Sequence, residues 1–132
     1  MKNGLIIDIF GTKRWYVNDQ LHREDGPAIE YYDGGKEWYK NGTLHKENGP
    51  AIEWLDGTGS WYLNGVIHRE GGPAISYEDG SEIWYLNGER HREDGPAIQW
   101  SNGDKSWYLN NEKIKCSTQE EFERLLKLKV FW

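Results

Sequence analysis

At 132 residues the chain has the length of one domain. Its net charge of −6, from 22 acidic and 16 basic residues, argues against a surface for non-specific nucleic-acid or anionic-membrane binding. A single cysteine, Cys116, excludes an intrachain disulfide, and no apolar run approaches the roughly 20 residues of a membrane helix, so the expected compartment is reducing and cytoplasmic.

Hydrophobic residues are 36% of the chain, led by 8 Trp and 8 Tyr, which suits a thin layer of aromatic rings better than a deep aliphatic core. Residues 1–14 read as an N-terminal capping strand carrying Leu5, Ile6, Ile7, Ile9 and Phe10. That run is too short, and too interrupted by Asp8, for a secretory leader. From 15 to 116 the phrase Trp-Tyr-x-Asn-Gly-x-x-His-Arg-Glu-x-Gly-Pro-Ala-Ile returns, with Trp15, Trp38, Trp61, Trp84 and Trp107 spaced 23 residues apart. The units are 15–37, 38–60, 61–83, 84–106 and a partial 107–116. A fixed period of this length marks stacked repeats, each burying its apolar face against its neighbours. A residue that returns in register is then a ladder element before it is a catalytic group.

Within a unit, Pro50 to Trp54 is a short β-prone run ending at Asp56-Gly57, and Ser60 to Leu63 leads into Asn64-Gly65 and then Val66 to Arg69. Asn-Gly and Asp-Gly between such runs predict hairpins, because a type I′ turn needs positive φ at both central residues. Gly-Pro closes each unit, with Pro starting a strand where it has no ladder bond to lose. The expected result is an antiparallel meander of about nine or ten strands, about two per repeat. Pairing across Asn41-Gly42 puts Tyr39 opposite Leu44 and Trp38 opposite His45. Carried through Asp33-Gly34, the register brings Ile29 near Trp38, with Gly35 a place for a bulge. One face then holds Ile, Trp and His and is the expected core; the other holds Tyr, Leu, Ala and most of the charge.

The ends depart from the pattern, as caps do. Asn18-Asp19 stands for Asn-Gly in the first unit; in the fifth, Ile114 fills the His slot, Cys116 the Glu slot, and Gly-Pro is gone. Residues 117–132 form a capping helix and tail. Ser117 and Glu120 make a capping box, Phe122, Leu125 and Leu126 an apolar stripe, and Lys127 and Lys129 suit the C-terminal end. The helix, over 118–128, closes the last repeat, and Val130, Phe131 and Trp132 pack back or form a sticky tail. The fold class is all-β, a single-sheet antiparallel β-meander repeat with a short C-terminal capping α-helix.

Laid out this way, residues 15 to 116 resemble the MORN repeat family, most closely its bacterial and phage variants carrying His-Arg-Glu-Asp-Gly-Pro-Ala. The shared features are the 23-residue unit, Asn87-Gly88, His91 three places on, and a downstream Asn102-Gly103 turn. Two extra residues lie between the His and the following Gly, so the hairpins are expected to differ in detail from the standard unit. The resemblance implies an elongated, twisted sheet that binds or scaffolds without catalysis. Lipid binding, proposed for some members, is not encouraged by this chain's charge. The phage relatives imply antitoxin-like or counter-defence roles, with the host cytoplasm as the compartment.

Four histidines, His22, His45, His68 and His91, fall one per full repeat. Equivalent residues two strands apart are roughly 9.6 Å apart, whereas two His on one zinc need nitrogens within roughly 3 to 4 Å, so neighbouring repeats share no metal through His alone. The plainer reading is a structural ladder of these His beside Trp15, Trp38, Trp61, Trp84 and Trp107. Arg23, Lys46, Arg69 and Arg92 beside Glu24, Glu47, Glu70 and Glu93 read as a cross-strand ion-pair ladder, or as a basic row lining a groove for an acidic partner or phosphate. A single sheet has no second layer to cover both faces, so one aromatic row stays accessible for recognition. The residues expected to meet a partner or ligand are Tyr39, Tyr62, Tyr85, Trp54, Trp100, Arg69 and Arg92.

No nucleophile elbow, P-loop, dinucleotide fingerprint or Cys-x-x-Cys pair occurs, and no cofactor or catalytic residue is expected. Asp25 and Asp94 share a slot with Asn48 and Gly71, a variation that a required acid would not show. The expectation is a non-enzymatic module that binds another protein as inhibitor or adaptor. The alternatives are a protein sequestering a nucleotide-like molecule between aromatic rings and a basic side chain, and, more distantly, an enzyme using one His-Arg-Glu set. Homodimerisation through a sheet face or edge stays open.

Overall fold

The computed structural model describes residues 1–129; the expected tail of Val130, Phe131 and Trp132 lies outside them. The chain forms one long antiparallel meander sheet of 12 strands, not closed into a barrel, with a single C-terminal helix. It opens with β1 (Gly4–Ile7) and β2 (Lys13–Val17), paired with Leu5 opposite Trp15. Three further two-stranded ladders stand beside the main sheet, so the strands are shorter and more numerous than the nine or ten expected. The reason lies at each Trp. Trp61 donates its N–H to the Ala74 carbonyl, 2.7 Å, while its own carbonyl accepts from His68, 3.0 Å. The chain thus passes from one ladder to another at every Trp, and a full repeat contributes two hairpins rather than one.

The Asn-Gly hairpin follows expectation. Tyr39 pairs with Leu44, and Asn41 and Gly42 have φ of 49° and 81°, the positive values of a type I′ turn. The Asp-Gly hairpin differs by one residue. Its loop is Tyr32-Asp33-Gly34, closed by the Tyr31 N–H on the Gly35 carbonyl, with Gly34 at φ 102°. A three-residue loop ending in a left-handed glycine is a bulged turn, and it sets Ile29 opposite Glu37, not near Trp38.

A one-residue slip exchanges the faces of a strand. This corrects the expectation that the Trp row is the core. Ala28, Ala51, Ala74 and Ala97 are 0% exposed, and Ile29, Ile83 and Ile98 are buried with them, whereas Trp15, Trp38, Trp61 and Trp84 are only half-buried. Tyr108 completes a cluster with Ile83, Ala97 and Ile98, against which Tyr85 packs.

A second set of bonds joins the successive turns that precede Thr12, Gly35, Thr58, Ser81 and Asp104, three of which are Asp-Gly. The hydroxyls of Thr12, Thr58 and Ser81, all buried, accept the N–H groups of Tyr32, Glu78 and Ser101 one repeat on. Gly35 occupies the same slot in the remaining repeat and brings no hydroxyl.

At the C-terminal end, α1 (Gln119–Lys129) lies against the last hairpin. Its cap is one residue later than the expected Ser117–Glu120 pair, because the first helical residue is Gln119: the Thr118 hydroxyl accepts the Glu121 N–H at 3.2 Å. Phe122 is fully buried against Trp107 and Leu109, with Ile114, Cys116 and Leu126 around them. Burial, and then the nearby Glu121 charge, push the Cys116 thiol up, away from the reactive thiolate.

Candidate binding surface

Each full repeat places its His on the turn of the next one. The Nδ1 atoms of His22, His45, His68 and His91 accept the backbone N–H of Asn41, Asn64, Asn87 and Asn110 at 2.8 to 2.9 Å. An accepting Nδ1 puts the proton of the neutral ring on Nε2, and Nε2 faces Glu24, Glu47, Glu70 or Glu93 at 2.7 to 3.8 Å. The ends of this column explain two departures in the sequence. Asn18 has no preceding repeat, and the Asn3 side chain accepts its N–H instead, at 2.8 Å. After Ile114 there is no further Asn turn to hold, and that apolar side chain packs toward Phe122.

The basic residue after each His lies over the Trp eight residues before it. Arg23, Lys46, Arg69 and Arg92 sit 3.8, 3.7, 4.0 and 3.9 Å from the ring centroids of Trp15, Trp38, Trp61 and Trp84. The guanidinium of Arg69 is clamped on its other side by Gly72, where a Cβ would come within 2.7 Å of Cζ, and Nη1 donates to the Pro73 carbonyl at 3.1 Å. The glycine of Gly-Pro is there to admit the cation. The expected Arg–Glu ladder is therefore corrected. The Glu residues face His, whereas Arg23 and Arg92 take Asp25 and Asp94 on Nε at 3.1 and 2.8 Å. In the fifth unit α1 replaces the cation: Phe122 lies 6.3 Å from Trp107, and the Trp107 indole N–H donates to Gln119 at 2.8 Å.

The expected partner-facing residues fall in three places. Tyr39, Tyr62 and Tyr85 are half-buried on the core side. There Tyr31 and Tyr39 donate to the two oxygens of buried Glu37, at 2.5 and 2.7 Å. Burial first, and then that carboxylate, push Tyr31 up to about 12 and Tyr39 higher still. Arg69 and Arg92 share an open cleft with Trp84 and His91. Trp54 lies on the Asp56-Gly57 turn and Trp100 on the corresponding Asn102-Gly103 turn, 44% and 42% exposed. They pair with Tyr31 at 5.9 Å and Tyr77 at 6.4 Å, between ring centroids.

Sequence reasoning missed the rest of that aromatic row. Tyr31, Trp54, Tyr77 and Trp100 are one 23-residue column, two places after each Ile, so aligning the units on Pro-Ala-Ile finds them. At the turn tips Ile9, Phe10, Tyr32 and Leu55 are exposed as well, and Leu55 reaches back over Gly34 of the preceding turn.

Among the described residues no group of three or more His, Cys, Asp or Glu could hold a metal ion, and no helix is long and apolar enough to cross a membrane. No family model matches this chain, and none of the curated proteins matches it.

Proposed function

We propose that this chain is a non-enzymatic binding module of MORN-like repeats that takes another protein along its Asp-Gly turns. The carrying observation is the exposed stripe of Phe10, Tyr32, Trp54, Leu55, Tyr77 and Trp100 along one side of the sheet. Exposed apolar patches of this kind mark recognition surfaces, and aromatic side chains dominate the energy of protein interfaces. The pairing of Trp54 and Trp100 with Tyr31 and Tyr77 holds those rings in place before a partner arrives, which lowers the ordering cost of binding. A non-catalytic role is supported by the histidines, whose Nδ1 atoms all accept a backbone N–H of the next repeat.

The likeness to phage variants favours an inhibitor or adaptor acting in the cytoplasm on a host defence or toxin component. A nucleotide-sequestering role is less favoured, because the Trp rings beside the basic row, Trp15, Trp38, Trp61 and Trp84, already carry the protein's own cations.

Capture of a stoichiometric protein partner, compared between the wild type and a Trp54→Ser/Trp100→Ser variant, tests the proposal. The variant is expected to fold and to bind at least about tenfold more weakly. Equal binding, or micromolar binding of a nucleotide by calorimetry, overturns it.

A further inference from the structure

Each cation on a Trp ring has a slot two residues on, and those slots differ. In the first and fourth repeats the slot holds Asp25 and Asp94, whose carboxylates occupy Nε of Arg23 and Arg92. In the third repeat the slot is Gly71, and among the described residues Arg69 has no carboxylate partner. The Arg69 guanidinium is nonetheless held as the others are, between Trp61 and Gly72, with Nη1 on the Pro73 carbonyl. Arg69 lines an open cleft with Glu70, Gly71, Trp84, Arg92, Glu93 and Asp94, and Asp94 is already taken by Nε of Arg92.

We propose that Arg69 is a receptor for a carboxylate side chain of the partner protein, which takes the place that Asp25 and Asp94 take within the chain. This rests on the protein-binding reading only for the source of the carboxylate. The ligand chemistry comes from the protein itself, since two copies of the same stacked guanidinium already hold a carboxylate at Nε. Preorganisation makes the site specific: the cation is immobilised before binding, so little rotamer freedom is lost, and a charge-assisted hydrogen bond forms at a fixed donor. Glu70 and Glu93 flank the cleft but extend into solvent toward His68 and His91. They weaken long-range attraction without filling the Nε position. In the preceding repeat Asn48 occupies the corresponding slot, and Lys46 is a second cation without a carboxylate partner among the described residues.

The test follows the arginine Nε–Hε resonances by NMR while a tetra-aspartate peptide is added. The Arg69 signal is expected to shift saturably, and the Arg23 and Arg92 signals, already bonded to Asp, to stay in place. In an Asp94→Gly variant the response should extend to Arg92. In Arg69→Gln the peptide should bind about tenfold more weakly, the scale of one charge-assisted hydrogen bond. A silent Arg69, an Arg92 that stays silent after Asp94→Gly, or a larger Arg69 response to inorganic phosphate at equal concentration overturns the proposal. A positive titration alongside failure to capture any protein would keep the carboxylate site and remove the protein-binding reading. A captured partner whose affinity ignores Arg69→Gln would do the reverse.

Discussion

At the scale of single residues, the columns that run along this molecule show their value where one is interrupted. The hydroxyl column on the Asp-Gly turns passes through Thr12, Thr58 and Ser81 and fails at Gly35, leaving the Leu55 turn without the acceptor that its counterparts have. A Cβ at Gly35 would meet Asp33 at 3.3 Å and Tyr31 at 3.4 Å, a tight fit but no overlap with backbone. Gly35→Ser is therefore expected to stabilise the fold by about 1 kcal/mol, from a hydrogen bond to Leu55 and a less flexible unfolded chain. A urea midpoint equal to or below that of the wild type would sink this account. Glu37 supplies a pH test. Tyr31 and Tyr39 ionise in the fold only above the ordinary tyrosine value of about 10, because burial and the Glu37 carboxylate disfavour the phenolate. Groups raised in this way add stability that is complete below pH about 10 and is lost as pH climbs toward about 12. Urea midpoints should be flat from neutral pH to about 10 and fall beyond it, and tyrosine absorbance should show late-titrating phenols, Tyr31 and Tyr39 together with Tyr62, which burial also raises; Glu37→Gln should bring Tyr31 and Tyr39 down.

Among the elements, the two kinds of hairpin differ in how legible they are. Asn-Gly permits essentially one tight turn, and the predicted pairing of Tyr39 with Leu44 is the observed one. Asp33-Gly34-Gly35 admits loops of two or three residues. The choice rests on Gly34 closing a bulge and on the Asp33 carboxylate taking the Gly35 N–H, 2.9 Å, and composition does not rank these against a two-residue turn. That single ambiguity moved Ile29 from beside Trp38 to opposite Glu37 and misplaced the core. The Trp–cation stacks were illegible for a related reason: Arg-Glu side by side suggests an ion pair, and only the fold shows that Trp61 and Gly72 leave a gap of guanidinium shape between them. The helix was easier to read, since an apolar stripe after broken repeats has nowhere to pack but the last repeat. Phe122 is the fully buried side chain of that contact, and Phe122→Ala should cost about 3 to 4 kcal/mol by calorimetry or urea unfolding. A loss below about 1 kcal/mol would mean that α1 does not cap the sheet.

Over the whole molecule, every full repeat binds the next through the same His-to-Asn bond, and this makes the chain divisible at one period only. Removing residues 38–60 joins Glu37 to Trp61 and offers each severed group an equivalent partner. His22 meets the Asn64 N–H in place of Asn41, the Leu21 carbonyl meets Gly65 in place of Gly42, and Glu37 pairs with Ile75 in place of Ile52. Stability in such arrays is close to a sum of units and nearest-neighbour interfaces. The shortened protein should therefore still unfold cooperatively, with a lower midpoint and a smaller denaturant slope because less surface is exposed. Arg69 and Gly71 remain in it, so the tetra-aspartate response at Arg69 should survive the deletion. Removing 38–59 instead, one residue fewer, puts the junction out of phase, so that the first unit and the units after the cut turn their Ala and Ile to opposite faces. That variant is expected to lose its β-sheet circular dichroism or to aggregate. If both deletions fold equally well, the stacking does not depend on the 23-residue phase and the column bonds do not hold the sheet together. If both fail, the repeats are not separable units and the additive description is wrong.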